Sequence, residues 1–226
     1  MCALRKYYEA YDDRYRQVHR ENLHWFDDNP SKIVLETMEK FSVTKQHRIL
    51  EVGCGEGRDA RFLLNNGYHV LATDVSCAAV DCCREQDLEH KDAYHVLDCL
   101  NCATDERFDF IYAVAVVHML VPQEDRDGFY RFFVEHLTRN GIGLMCSMGD
   151  GTEEFHSDIS GAFTVRERLH EPSGKVLRLA NTSCRVVTSE TFLNEIQQSG
   201  LAILESGHTA VEPDFPEMIY AVVSKK

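Results

Sequence analysis

Residues 48–58 read Arg48-Ile-Leu-Glu-Val-Gly-Cys-Gly-Glu-Gly-Arg58, a short aliphatic run followed by three glycines at alternate positions. Ile49, Leu50 and Val52 suit a buried strand and are too few for a helix. The next residues carry apolar side chains at helical spacing as far as Gly67, which predicts a helix that begins at the glycines. A strand, a glycine turn and a helix in this order let main-chain N–H groups approach a ligand closely. The stretch therefore predicts a nucleotide-type pocket.

The glycine spacing distinguishes two kinds of nucleotide pocket. Dinucleotide folds carry G-x-G-x-x-G, whereas this chain has G-x-G-x-G, with Arg58 in place of a third phosphate-loop glycine. The pattern Glu-x-Gly-x-Gly-x-Gly resembles the first motif of the class I S-adenosylmethionine (SAM)-dependent methyltransferases, and an ordinary glycine turn of another α/β protein is the alternative. The residues that the resemblance assigns to cofactor binding here are Glu51, Gly53, Cys54, Gly55 and Gly57.

Asp74 ends a second predicted strand, residues 68–74, and lies 21 positions beyond Gly53. In doubly wound sheets an acid about 20 residues after the first glycine accepts hydrogen bonds from the ribose hydroxyls. Because folds that bind NAD share this acid, it indicates an adenosine ligand without saying which one. Val75 is placed with Asp74 in the cofactor site, and Ser76 is expected to cap the following helix.

Asp98 ends a third predicted strand, residues 93–98. In the resembled family an Asp here contacts the adenine amino group, and the next residue, Cys99, offers its main-chain N–H to the ring. The glycine turn, Asp74 and Asp98 thus follow the ends of successive predicted strands, which is where open α/β sheets bind ligands.

Residues 108–120 form the second informative stretch, and their apolar first half predicts a central parallel strand. The segment resembles the family's Phe-Asp-Leu-Val…Leu-His-His-Leu pattern, in which His118 matches the first histidine and Met119 departs from the second. Ala113 and Val114 occupy cofactor-site positions that often hold a polar pair, so side-chain contacts are lost there. His118 is the first candidate for a general base, because imidazole titrates near neutrality. The alternative is a histidine in the pocket wall.

The N-terminal segment carries aromatic residues at roughly helical spacing. Such a stripe serves packing in most proteins, but a leading helix often folds over the cofactor and substrate in the resembled family. Tyr7, Tyr11, Tyr15 and Trp25 are therefore lid candidates, and Tyr11 and Tyr15 are further candidates for catalysis. Ser31 is expected to cap a helix that runs to residue 41.

The rest of the chain completes a doubly wound α/β fold. We expect a helix over 123–137, a strand over 142–147, a hairpin with its turn at 171–174, a helix over 189–198, and strands at 201–204 and 218–223, the last antiparallel. The prediction is one domain: a mostly parallel seven-stranded, Rossmann-like methyltransferase sheet, with an N-terminal helical cap (1–42), a cofactor core (45–148), a β-hairpin lid insertion (149–188) and C-terminal elements (189–226).

Composition limits the partners. The net charge of −13 disfavours nucleic acid, and neither a signal-peptide core nor a membrane span is visible. Nine cysteines, an odd number, read as reduced thiols in a cytoplasmic protein. Cys99 and Cys102 form a C-x-x-C without two further ligands at a usual zinc spacing, so no metal site is predicted. The choice between monomer and homodimer stays open.

The predicted function is methyl transfer from SAM, which becomes S-adenosylhomocysteine, to a small-molecule acceptor. Alignment of acceptor, methyl and sulfur supplies most of the catalysis, since orientation is worth roughly 7–11 kcal/mol. Two alternatives remain at this point: a nicotinamide-dependent oxidoreductase, and a SAM-binding protein without catalysis.

Overall fold

The computed structural model describes residues 5–25, 29–101, 105–170, 173–211 and 215–226. The strands are β1 (Arg48–Val52), β2 (His69–Asp74), β3 (Tyr94–Val96), β4 (Phe108–Val114), β5 (Leu137–Met148), β6 (Phe155–His156), β7 (Val165–His170), β8 (Lys175–Ala180), β9 (Arg185–Val186), β10 (Leu201–Val211) and β11 (Phe215–Lys225). The α-helices are α1 (Ala10–Arg20), α2 (Lys32–Lys40), α3 (Arg58–Asn65), α4 (Cys77–Gln86), α5 (Gln123–His136) and α6 (Ser189–Gln198).

Seven of these strands form one sheet in the order β10-β11-β5-β4-β1-β2-β3. From β5 to β3 neighbouring strands are parallel, whereas β11 is antiparallel to both β5 and β10. The predicted doubly wound, mostly parallel seven-stranded sheet with an antiparallel last strand is confirmed.

Helices cover both faces of the sheet. Ile49 belongs to the core beneath α2, α3 and α4, and its neighbour Leu50 belongs to the core beneath α5 and α6. Successive strand residues point to opposite faces, which explains why the central strands are apolar almost throughout. The carboxyl ends of β1, β2 and β4 consequently lie side by side at one edge, where α/β sheets bind ligands.

Some local expectations differ from the structure. Ser31 precedes α2, but its hydroxyl donates to Asp59 Oδ2 at 2.8 Å instead of capping the helix. Ser76 caps α4 as predicted, since its hydroxyl accepts from the amide of Ala79. Thr188 caps α6 in the same way, accepting from the amide of Thr191. Strand β5 starts at residue 137 and not at 142, and its pairing with β4 shifts register between Leu137 and Ile142.

The hairpin predicted around 171–174 is formed by β7 and β8, with His170 opposite Lys175. Turn residues 171 and 172 lie outside the described ranges. Val18 of α1 packs against Leu177 and Leu179 of β8, with Trp25 at the edge of the cluster. Helix α1 and this hairpin together are called the cover below. The division of the chain into the four segments given above stays a prediction. Within the described ranges no helix combines the length and apolarity needed to cross a bilayer.

Candidate cofactor-binding site

A cavity of about 110 Å³ lies at the carboxyl ends of β1, β2 and β4, beneath the N-terminal segment. It brings together most of the residues that the sequence assigned to a site. Those that line it are Tyr11, Tyr15, Glu51, Gly53, Cys54, Gly55, Asp74, Val75, Asp98, Cys99 and Val114. Gly57, Ala113 and His118 are not in the lining. The functional roles given to these residues remain predictions.

Gly57 and Ala113 have structural reasons for their positions. Gly57 precedes α3 with φ +79°, and a Cβ there would lie 2.9 Å from Cys83 Sγ and 3.2 Å from Tyr94. Glycine is thus required for packing against α4 and β3 as well as for the turn. Ala113 points into the opposite core because strand residues alternate, so only Val114 of the pair faces the cavity.

The amides of the glycine bend are already hydrogen-bonded within the protein. Gly53 and Cys54 donate to Thr73 O at 2.7 and 2.8 Å, and Gly55 donates to Asp74 Oδ2 at 2.9 Å. Gly57 donates to Cys54 O at 2.9 Å. The bend uses these amides to close on β2, and their contact with a ligand stays a prediction. What the bend provides is close approach: a Cβ on Gly53, at φ +76°, would overlap Val116.

Asp74 connects the glycine bend to α4. Its Oδ2 accepts from Gly55 and its Oδ1 accepts from the amide of Ser76 at 2.8 Å. Burial raises the pKa of Asp74, opposed by these backbone hydrogen bonds. Each carboxylate oxygen can accept a further hydrogen bond, so Asp74 can still receive hydroxyl donors from the cavity.

Carboxylates dominate the charge of the lining, which contains Glu51, Asp59, Asp74 and Asp98 against a single cation, Arg58. Glu51 is 4% exposed, and within the described part of the chain its Oε2 has no hydrogen-bond partner. Burial first, and then the charge of Asp59, raise the pKa of Glu51 well above its usual value. A buried carboxylate oxygen without a partner is costly, and a cationic ligand would offset that cost.

Asp98 is held by the N-terminal segment. Its Oδ2 accepts from Tyr8 Oη at 2.9 Å, Lys6 Nζ at 3.2 Å and Asn101 Nδ2 at 2.8 Å. Burial opposes ionisation, but hydrogen bonds led by that from Tyr8 outweigh it and lower the pKa of Asp98. Its Oδ1 accepts only from the amide of Leu100 at 3.0 Å among the described residues, so an incoming donor can bond to that oxygen.

Several residues of the lining were not predicted from the sequence: Tyr8, Asp59, Leu97, Val116, Leu120 and Phe215 are among them. Tyr8 belongs to the aromatic stripe of the N-terminal segment, which could have indicated it. Tyr7 was the predicted lid residue, but its hydroxyl donates to Asp125 at 2.8 Å. Trp25 stacks on His170 of β7 with ring centroids 5.3 Å apart, so it packs on the cover and does not line the cavity. Phe215 follows residues outside the described ranges and reaches the site from β11, which no local pattern indicates.

Tyr11 and Tyr15 face the cavity from α1. Burial raises the pKa of both phenols, that of Tyr15 well above its usual value, with Asp74 as the next cause for Tyr15. Both hydroxyls are therefore protonated at neutral pH. In that state they suit hydrogen-bond donation to an acceptor molecule and not proton abstraction.

Asp12 anchors the cover to the cofactor edge. Its Oδ1 accepts from Ser76 Oγ and from the amide of Ala78, both at 2.9 Å, at the N-terminus of α4. Carboxylates at such a position contribute about 1 kcal/mol. We expect Asp12→Ala to speed amide hydrogen exchange in α1 about fivefold, measured by mass spectrometry. Asp13→Ala, which removes only an exposed pair with Arg5, is the control; equal exchange in both variants would contradict the anchoring role.

His118 lies behind the cavity wall. It is 3% exposed, its Nδ1 lacks a hydrogen-bond partner among the described residues, and its ring meets Phe215 edge-on with centroids 5.7 Å apart. Burial, with a smaller contribution from Arg126, lowers the pKa of His118 to about 3. An imidazole with that pKa is neutral and weakly basic at neutral pH. The role of His118 as a general base stays a prediction. Tyr11 and Tyr15 line the cavity, whereas His118 does not.

The depressed pKa of His118 makes stability depend on pH. Between pH 6.5 and 3 the unfolded chain binds a proton at this residue that the folded chain excludes, so the unfolding free energy falls as pH falls. This residue alone should remove about 1 kcal/mol between pH 6 and pH 5. In urea unfolding, the unfolding free energy of His118→Gln should fall by about 1 kcal/mol less than that of the parent between pH 6 and pH 5. His69→Gln, at an exposed position, should match the parent. An identical pH dependence in all three proteins would contradict the buried neutral state.

Comparison with known proteins agrees with this geometry. Residues 49–141 match the family model for a "Methyltransferase domain". Over 129 residues the chain is 34% identical to Hemagglutinin 1 of Eikenella corrodens, covering 53% of this chain and 40% of that protein. Over 153 residues it is 28% identical to Methyltransferase GfsG of Streptomyces halstedii, covering 60% of this chain and 54% of that protein. The chain spans about half the length of the curated relatives it matches.

Among solved structures, the fold is similar to that of 1,6-didemethyltoxoflavin-N1-methyltransferase of Burkholderia thailandensis, which was solved with 1,6-didemethyltoxoflavin and S-adenosylhomocysteine bound. The TM-score is 0.66 at 15% identity, covering 96% of this chain and 88% of that one. The chain has the class I SAM-dependent methyltransferase fold, and the resemblance inferred from its sequence motifs is confirmed. These matches give no support to the nicotinamide oxidoreductase alternative.

Proposed function

We propose that the protein transfers a methyl group from SAM to a small-molecule acceptor. The observation that carries this proposal is the acidic lining of the cavity, with the partnerless Oε2 of Glu51 beside the glycine bend. SAM carries a sulfonium and an ammonium group, and positive charge favours ionisation of the buried acids, whereas the pyrophosphate of NAD would add negative charge to an acidic lining. The match of residues 49–141 to the methyltransferase family supports the same choice.

The residues present fit this cofactor. Asp74 would accept hydrogen bonds from the ribose hydroxyls, Asp98 from the adenine amino group, and Glu51 would offset the ammonium charge. Val75, Leu97 and Cys99 supply apolar surface for the adenine. Bound SAM supplies a methyl group on a positively charged sulfur, which a nucleophile aligned opposite that sulfur can accept.

The protein's own contribution is orientation and exclusion of water. Tyr8, Tyr11 and Tyr15 close the cavity from the N-terminal segment, while Val116 and Met119 bound it from the segment after β4 and Phe215 bounds it from β11. This wall is aromatic and aliphatic, which favours an acceptor with a substantial apolar surface. Because the phenols of Tyr11 and Tyr15 are protonated, they do not act as bases, and the acceptor atom should arrive with a free lone pair. The two phenols orient the acceptor molecule by hydrogen bonds to its other polar atoms.

The enclosing cover suits a compact acceptor. Tyr11 Oη donates to Ser183 O at 3.4 Å and Arg14 donates to Thr182 at 2.9 Å, which ties α1 to the chain leading out of the hairpin. The structural relative from Burkholderia thailandensis was solved with 1,6-didemethyltoxoflavin bound. We infer that these contacts open to admit the acceptor and reform around it.

Methylation of a metabolite library by the purified protein tests the activity. The assay follows S-adenosylhomocysteine release and transfer of label from methyl-labelled SAM. Turnover of one chemical class of small molecule is the expected result. Saturable SAM binding without turnover of any compound would favour the alternative of a SAM-binding protein without catalysis.

A further inference from the structure

Three metal-binding side chains meet on the outer side of the glycine bend, away from the cavity lining. They are His19 near the end of α1, His24 five residues later, and Cys82 in α4. One ligand atom from each lies within 4.8 Å of the other two. The sequence predicts no metal, because Cys99 and Cys102 lack further ligands at a zinc spacing. Cys82 is far from the two histidines in the chain, and the packing of α1 against α4 brings the three together.

The donor set has a definite chemical preference. Two imidazoles and a thiolate are ligands typical of Zn²⁺, which binds nitrogen at about 2.0–2.1 Å and sulfur at about 2.3 Å. Tetrahedral angles at those lengths separate the ligand atoms by about 3.3–3.8 Å. The present spacing therefore needs a contraction of at most about 1.5 Å around an ion, which side-chain rotation can supply for His24, whose side chain is 50% exposed.

Glu56 supplies a carboxylate at the same point. Its Oε1 lies 2.7 Å from His19 Nε2 and 3.6 Å from His24 Nδ1, and its side chain is 5% exposed. The amide of Trp25 donates to the other oxygen, Oε2, at 2.7 Å and fixes the carboxylate plane. Zinc sites commonly take a carboxylate as a ligand, and a second hydrogen bond of this kind orients such ligands.

Further support comes from the groups around the cysteine. Gln86 Nε2 lies 3.3 Å from Cys82 Sγ, and its Oε1 accepts from Arg61 Nη1 at 2.8 Å. Gln86 is thereby held in one orientation, with its amide directed at the sulfur. Amide donors to a coordinating sulfur are a usual supporting feature of thiolate metal sites.

The geometry points to a zinc-type site in which His19, His24 and Cys82 bind one divalent transition-metal ion and Glu56 completes a four-ligand set. On binding, the thiol and any protonated imidazole release their protons to solvent. Because Glu56 lies between Gly55 and Gly57, the ion joins the N-terminal cover to the cofactor bend and to α4. This site goes beyond methyl transfer and does not depend on it.

Cobalt substitution tests the site without any use of SAM. The full chain, stripped of metal with a chelator under reducing conditions, is titrated with Co²⁺ and then with Zn²⁺. The expected result is one Co²⁺ per chain, with thiolate-to-cobalt charge-transfer absorption in the near ultraviolet and strong visible absorption of tetrahedral Co²⁺. Added Zn²⁺ should abolish both signals.

Three variants complete the test. Cys82→Ser should remove the charge-transfer absorption, and His24→Gln, at a half-exposed side chain, should weaken Co²⁺ binding at least about tenfold. Cys77→Ser, an exposed cysteine of the same helix, should behave as the parent. Absence of stoichiometric Co²⁺ binding in the parent would overturn the proposal, as would a charge-transfer band that survives Cys82→Ser or disappears in Cys77→Ser. Circular dichroism verifies that each variant is folded.

Discussion

Asp74→Asn is expected to raise the Kd for SAM about a hundredfold or more. The carboxylate already accepts from Gly55 and Ser76, and each further hydrogen bond from a ribose hydroxyl to a charged group contributes about 1.5–3 kcal/mol. An asparagine keeps the shape but offers a single acceptor oxygen, and its NH₂ group faces amide donors. Both the ribose contacts and the closure of the bend on β2 are weakened. Isothermal titration calorimetry with SAM measures the change directly.

Asp81→Asn is the matched control. Asp81 lies on α4, its side chain is 66% exposed, and it contacts only Arg84 at 3.7 Å among the ion pairs of the described residues. Exposed pairs of this kind contribute about 0–1 kcal/mol, so its SAM affinity should equal that of the parent. A folded Asp74→Asn variant with parental SAM affinity would remove Asp74 from the cofactor site.

Gly53→Ala is expected to lower both stability and SAM affinity. Gly53 has φ +76°, where an L-residue costs about 1–2 kcal/mol, and its new Cβ would overlap Val116. Because the bend and Val116 both line the cavity, relief of the overlap must displace one of them. We expect a loss of more than about 2 kcal/mol in unfolding free energy. SAM binding should weaken about a hundredfold, which corresponds to about 2.8 kcal/mol.

Gly67→Ala separates backbone strain from the overlap. Gly67 has φ +79°, nearly the same conformation, but a Cβ there meets only Lys45 at 3.6 Å, an ordinary contact. This variant should lose about 1–2 kcal/mol of stability and keep parental SAM affinity. If both glycine variants bind SAM equally well, the close approach at Gly53 does not matter for the cofactor.

The parts of the fold that were predictable are those set by local pattern. The run at 49–52, the glycine bend and the acid at 74 each depend on a few neighbouring residues whose preferences agree with the final sheet. The same is true of the caps at Ser76 and Thr188, where a hydroxyl meets an amide three residues away. Ser31 was the exception, because Asp59 from α3 competes for its hydroxyl.

The parts of the site that could not be predicted depend on contacts between distant segments. Occupation of the bend amides by Thr73 and Asp74 requires β1 and β2 to be paired, which the glycine pattern alone does not show. The burial of His118 behind Phe215 requires β11 to be in place. The contacts of Tyr8 with Asp98, and of the two histidines with Cys82, depend on how the cover packs.

Calorimetric titration of the purified chain with SAM, S-adenosylhomocysteine and NAD tests the central claim most directly, which is that the acidic cavity at the ends of β1, β2 and β4 binds SAM. Saturable heat with one site per chain for SAM and its demethylated product, and none for NAD, is the predicted result. Saturable binding of NAD with no heat from SAM or S-adenosylhomocysteine would contradict it.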